Sequence, residues 1–204
     1  MENFMCHENL KIDFDLAKNN CFFIGGCNGS GKSALFASLN LGLGGKGSSN
    51  DRGNSVKNYI KFGESRSKIR ILLTNSGYGN HPDYGEKIAI ERIISSRNQS
   101  SYLIKSVFQE GRTFREKLVS TRKSDLDQLL SRFGIQLNNP VFWMSQDRSR
   151  AFLQDFKPDK IYKLFVIATG LDCTRKCYDT VASYLLDMEN IQDSIHEILV
   201  EKKT

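Results

Sequence analysis

The chain has 204 residues, 39% hydrophobic and 25% charged, with a net charge of +6. That length and balance suit one large domain, or one domain plus an appendage, with a core of its own; they exclude a disordered chain or a small disulfide scaffold. The charge excess permits contact with nucleic acid without requiring it.

Leu10 to Phe14 alternates apolar and polar residues and predicts a half-buried strand. Cys21 to Ile24 is a short apolar run ending in Gly25-Gly26 and predicts a central strand. Lys32 to Leu41 predicts a helix, stopped by Gly42, Gly44, Gly45 and Gly47, which read as a loop. Lys68 to Leu73 and Ile88 to Ile94 predict strands, and Tyr102 to Ile104 a strand pairing back on the second of them. Ser124 predicts the cap of a helix that Gly134 ends, with Asp125 and Asp127 in its first turn. Val141 to Met144 predicts another buried run. Pro158 starts a helix reaching Ala168, with Gly170 as its stop.

The tail differs. Val181, Leu185, Met188, Gln192, Ile195 and Leu199 step by four, three, four, three and four, and five of the six are apolar. That is an a/d stripe of nearly three heptads, which predicts the start of a coiled coil, an ordinary amphipathic helix being the alternative.

Charge is uneven along the chain. Seven basic residues lie between Gly45 and Arg70 against Asp51 and Glu64, while six acidic residues from Asp179 onward face only Lys202 and Lys203. The basic stretch either tracks a DNA backbone or forms a solvated surface. The five cysteines are irregularly spaced, form no CxxC pair and have no histidines placed to complete a metal shell, so they read as free thiols in a reducing compartment. The opening "MENFMCHENLKIDFD" has neither the basic nor the apolar region of a signal peptide, and no run is long enough to span a bilayer, so no membrane partner is expected.

Gly26-x-x-x-x-Gly31-Lys32-Ser33 matches the phosphate-loop pattern, with an apolar run before it and a helix after it. Its glycines let backbone N–H groups nest around phosphate oxygens, and the helix N-terminus favours negative charge. Lys32 would reach the β- and γ-phosphates and Ser33 would hold Mg²⁺, so the cofactors expected are ATP and Mg²⁺. An ATPase also needs an acid after an apolar strand. The nearest such pattern, "ASYLLD" ending at Asp187, lies on the heptad tail, so the chain carries half a site. Gln146, after "VFWM", is the other local candidate: a neutral amide there can ligate Mg²⁺ or place water.

The blocks "NFMCHENLKIDF" at 3, "IGGCNGSGKSALF" at 24, "LGLGGKGSSNDRGNSVKNYIKFG" at 41, "YGEKIAIERII" at 84 and "NPVFWMSQDRSRAFL" at 139 resemble, in spacing and order, the N-terminal head half of the SMC (structural maintenance of chromosomes) ATPases. The likeness is to the branch whose complex repairs and disentangles DNA. It implies an α/β fold: a P-loop ABC-type half-head, an N-terminal lobe with a mixed sheet, over residues 1–172, followed by the start of a coiled-coil arm over 173–204. It also implies catalytic roles for Lys32 and Gln146, with nucleotide bound by Asn28, Gly29, Ser30, Gly31, Lys32 and Ser33. Gln146 falls at the Q-loop glutamine and joins Ser33 at the metal. Arg52 falls near the R-loop arginine linking nucleotide to DNA, with Lys57 and Lys61 beside it as DNA contacts. The partners implied are DNA, a C-terminal head half carrying the signature motif and the acidic strand, a second SMC subunit in a heterodimer, and non-SMC subunits; the location implied is the nucleus and chromosome.

The sequence departs from that pattern in places. The family's first strand begins several residues before "NFMCH", and the C-terminal head would lie beyond Thr204. Phe142, Trp143 and Met144 replace smaller aliphatic residues. Two other readings stay open: a stand-alone P-loop NTPase, which needs an acidic strand in this chain and leaves the tail unexplained, and a non-catalytic DNA-binding or interaction fragment.

Overall fold

The computed structural model describes residues 1–47, 55–77, 79–97, 99–111, 113–137, 139, 141–146, 149–150 and 157–201. Two compact units divide after Asn138. The first is built on a six-stranded sheet. Its strands are β1 (Glu2–Phe4), β2 (His7–Asn9), β3 (Arg66–Thr74), β4 (Lys87–Ser95), β5 (Ser100–Glu110) and β6 (Thr113–Ser120), in the order β2-β1-β3-β4-β5-β6.

All five pairings described are antiparallel, where a mixed sheet was expected. The reason lies in the segment expected to supply a half-buried strand and a central one. Cys21 to Ile24 forms no strand and is exposed throughout, and Leu10 to Phe14 is likewise irregular. A strand must pair its N–H and C=O groups, and among the described residues no neighbour does so for either run. Phe14 packs edge-on against Phe22 instead, with ring centroids 5.1 Å apart.

The α/β character comes from helices covering one face of the sheet. On β4, Ile88, Ile90 and Ile94 share one face by the two-residue period, and the strand is buried on both sides from Ile88 to Arg92. Helix α1 (Lys32–Gly42) lays Ala34, Ala37 and Leu41 against Phe4, Tyr59, Ile69 and Ile94. Helix α2 (Lys123–Arg132) sets Leu126, Leu129 and Leu130 against Ile88, Ile90, Tyr102 and Ile104. α2 starts two residues earlier than expected, and Ser124 does not cap it: Arg122 is the N-cap residue, with no side-chain capping bond. The Ser124 hydroxyl turns to Asp125 instead, which also accepts from Ser120 and Arg122. Edge strand β6 carries charge along its length, a composition that discourages further pairing.

The second unit holds α3 (Pro158–Ala168) and α4 (Leu171–Glu201). The expected buried run at Val141 to Met144 is a turn. The Asn139 carbonyl accepts from the Phe142 and Trp143 amides, and its side-chain oxygen from Val141 N–H, so local bonds replace a ladder. Trp143 is buried while Val141 and Phe142 are exposed. α4 runs 31 residues and leaves Val181, Leu185, Met188 and Ile195 exposed on the heptad stripe. No helix among the described residues is long and apolar enough to cross a membrane.

Candidate phosphate-binding loop

The helix after the phosphate loop forms as the sequence predicts, and it fixes the loop's end. Gly29 and Gly31 adopt φ of 83° and 89°, in the left-handed region open to glycine. Gly31 is the N-cap residue of α1 and makes no side-chain capping bond, so amides of the first turn stay available to a ligand. Asn28, Gly29 and Ser30 are exposed, and Ser33 stands exposed at the second position of α1. Lys32 folds back over the loop: its Nζ donates to Gly26 O at 2.6 Å and to Cys27 O at 2.8 Å. Glycine nest, helix N-terminus and lysine form a cradle fitted to phosphate oxygens.

One participant was not legible in the motif. His7, in the β1–β2 hairpin, packs on the loop. A Cβ at Gly31 would lie 2.1 Å from His7 Nε2 and 3.0 Å from Cys6 Sγ. That nitrogen is buried and has no hydrogen-bond partner among the described residues. Position 31 therefore requires glycine twice over, for its φ and for its space.

The remaining candidates scatter. Arg52 lies outside the described residues. Lys57 is exposed on the 3-10 helix Val56–Tyr59. Lys61 is half-buried, with its ammonium 3.4 Å from Glu8. Gln146 belongs to the second unit, where it is exposed in helical backbone. The five cysteines are free thiols, all exposed. Among the described residues no three His, Cys, Asp or Glu side chains gather to hold a metal.

The strongest electrostatic construction lies elsewhere, on the sheet face turned away from α1 and α2. Glu91 is 2% exposed and ringed by Lys68 at 3.3 Å, Lys105 at 2.9 Å and Arg70, with Glu116 joining from β6. Burial pushes the Glu91 pKa up, but hydrogen bonds from Lys105 and Arg70 and the Lys68 charge hold it below the usual carboxylate range.

Comparison with known proteins places these features in a family. The AAA domain family matches residues 1–204. The "structural maintenance of chromosomes protein 6 homolog smc-6" of Caenorhabditis elegans is 54% identical over 205 residues, covering 100% of this chain and 18% of that protein. The human "structural maintenance of chromosomes protein 6" is 36% identical over 200 residues, covering 97% of this chain and 17% of that protein. The chain thus spans under a fifth of the length of these relatives. A solved SMC ATPase structure, described for ATP-driven dimerization and DNA-stimulated activation, superposes with a TM-score of 0.57 at 20% identity, over 72% of this chain and 83% of that one; it shows a shared fold.

Proposed function

The chain belongs to the AAA domain family and is the N-terminal half of an SMC ATPase head, and on that basis we propose that it is the ATP-binding half of a chromosome-maintenance ATPase serving DNA repair and recombination. The carrying observation is the cradle at the N-terminus of α1, preceded by an apolar run that nothing in the described chain pairs. The cradle supports binding of nucleotide phosphates. The unpaired run supports completion of the head by further polypeptide.

In this reading the backbone from Asn28 to Ser33 surrounds the phosphates. Lys32 exchanges its contacts with Gly26 O and Cys27 O for phosphate oxygens, adding charge where negative charge grows in the transition state. The Ser33 hydroxyl would hold Mg²⁺, which would neutralise phosphate charge; a metal-ligand role for the Gln146 amide rests on the family resemblance alone. Neither is a base, so the acid that sets water belongs to a C-terminal half, and the signature motif to a partner head in an SMC heterodimer. Arg52, Lys57 and Lys61 contact DNA, and non-SMC subunits join the complex on the chromosome in the nucleus.

The test is reconstitution. The chain is mixed with a C-terminal head half and a partner head, and ATP turnover is measured. Lys32→Ala is expected to lower turnover by about 100-fold or more, the scale of losing one transition-state charge contact. Turnover independent of Lys32 would overturn the catalytic reading and leave a DNA-binding fragment.

A further inference from the structure

At the other end of α1 the chain builds a second basic feature, unrelated to the phosphate loop. A solvent-open cavity of roughly 730 Å³ is lined by the Gly44–Gly47 turn, Arg92, Ser101, Tyr102, Thr121 and Lys123. Arg92 points to the helix face of β4, in line with Ile88, Ile90 and Ile94, where an apolar residue would be expected. It is 6% exposed.

Its partners among the described residues are all neutral. Nη1 donates to Leu41 O at 2.8 Å and Gly45 O at 2.9 Å, capping the C-terminal end of α1. Nη2 donates to Ser100 Oγ at 3.3 Å, and the guanidinium lies 5.1 Å from the centre of the Tyr102 ring. The buried Nε has no hydrogen-bond partner among the described residues. No carboxylate among the described residues pairs with Arg92, and burial pushes its pKa down, opposed by Tyr102. A buried charge facing only dipoles is left short of the solvation it had in water. The neighbouring residue shows the contrast: Glu91, on the opposite face of the strand, has three cations around it.

The rim adds to the excess. Lys46 is exposed and makes no ion pair among the described residues, while Lys123 has only a 3.9 Å approach to Asp127. Ser101 and Thr121 add hydroxyl donors. We propose that this cavity is a second anion site, which takes a phosphate group between Lys46, Lys123 and Arg92. α1 spans roughly 16 Å at 1.5 Å per residue, so one helix carries the phosphate loop at its N-terminus and this site at its C-terminus. The phosphate comes either from a nucleic-acid backbone or from a free phosphate compound, and both present the same oxygens to the cavity.

The experiment follows the Arg92 Nε–H resonance by ¹⁵N NMR in the full chain carrying Lys32→Ala, which disables the phosphate loop and so separates this site from nucleotide binding. Arg92→Lys assigns the resonance by its loss. Inorganic phosphate and a short DNA duplex are titrated separately. Movement with the duplex at concentrations well below those of phosphate, weakening with salt, identifies a nucleic-acid backbone. Movement with phosphate alone identifies a free phosphate compound. In either case Lys46→Ala with Lys123→Ala is expected to weaken binding about tenfold or more, the effect of losing charge-assisted hydrogen bonds, while Arg92 stays folded in place. No movement with either probe overturns the proposal, as does movement of unchanged affinity in the double variant.

Discussion

Strand β4 and the segment from Leu10 to Gly26 carry similar apolar sequences and meet opposite fates. β4 has strands on both sides and α1 and α2 above it, and Ile88 to Arg92 lose nearly all contact with solvent. Phe22, Phe23 and Ile24 have no strand beside them among the described residues, and Phe23 is 96% exposed. Burial is thus decided by whether a partner exists to take the backbone hydrogen bonds, since apolar content is alike in both. Among the described residues, the segment that feeds the phosphate loop is the one left without a strand partner, and in the proposed function a completing polypeptide attaches there.

The largest expected effect lies in β4. Ile90 is fully buried in the cluster with Ile104, Leu126 and Leu129. Ile90→Ala is expected to cost about 4 kcal/mol, lost transfer energy plus a cavity, in urea unfolding of the chain. A cost near zero would mean that the sheet is no better protected than the exposed segment.

On the other face of the same strand, Glu91→Gln is expected to cost about 3 kcal/mol, because three cations lose their shared anion. The pH dependence follows from the depressed Glu91 pKa. The folded state binds this proton more weakly than the unfolded chain does. Its stabilising contribution is complete well above the unfolded value of about 4.3 and fades as pH falls through the lower folded value. Unfolding midpoints measured from pH 6 down to pH 2 are expected to fall less steeply in Glu91→Gln than in the parent chain.

The sequence made most of this architecture legible, and the failures in the sheet share one cause. β3, β4, α1, α2 and α3 were visible because period and punctuation agree: "KIRILL" and "IAIERII" for strands, Pro158 and Gly170 for a helix and its end. β6 was missed because "TFREKLVS" is mostly polar and becomes a strand only by pairing with β5. The run Cys21 to Ile24 predicts a strand because composition reports apolarity, while pairing is a property of the neighbours. The positive-φ glycines Gly29 and Gly31 and the start of α1 at Lys32 were legible in the motif. His7 against Gly31 was not, since the contact depends on where the β1–β2 hairpin folds. Arg92 was hidden for a similar reason. In "IAIERII" its charge suggests the solvent side, yet the register with β3 puts Glu91 and Arg92 on opposite faces and both are buried.

The smallest expected effect tests the exposed half of the comparison. Phe23→Ser removes an aromatic ring that touches little of this chain, so unfolding free energy is expected to change by less than about 0.5 kcal/mol. A loss comparable to Ile90→Ala would show that the ring is covered within the chain and would end the contrast with β4. The second measurement is association with a C-terminal head half. If that polypeptide covers the run, burying the ring contributes about 2 kcal/mol, and Phe23→Ser weakens association roughly thirtyfold. Unchanged association would place the joining surface elsewhere and leave the exposed run unexplained. A stable chain with weakened association is the outcome that sets the two regions apart: β4 holds this half together, and the segment before the phosphate loop joins it to the next.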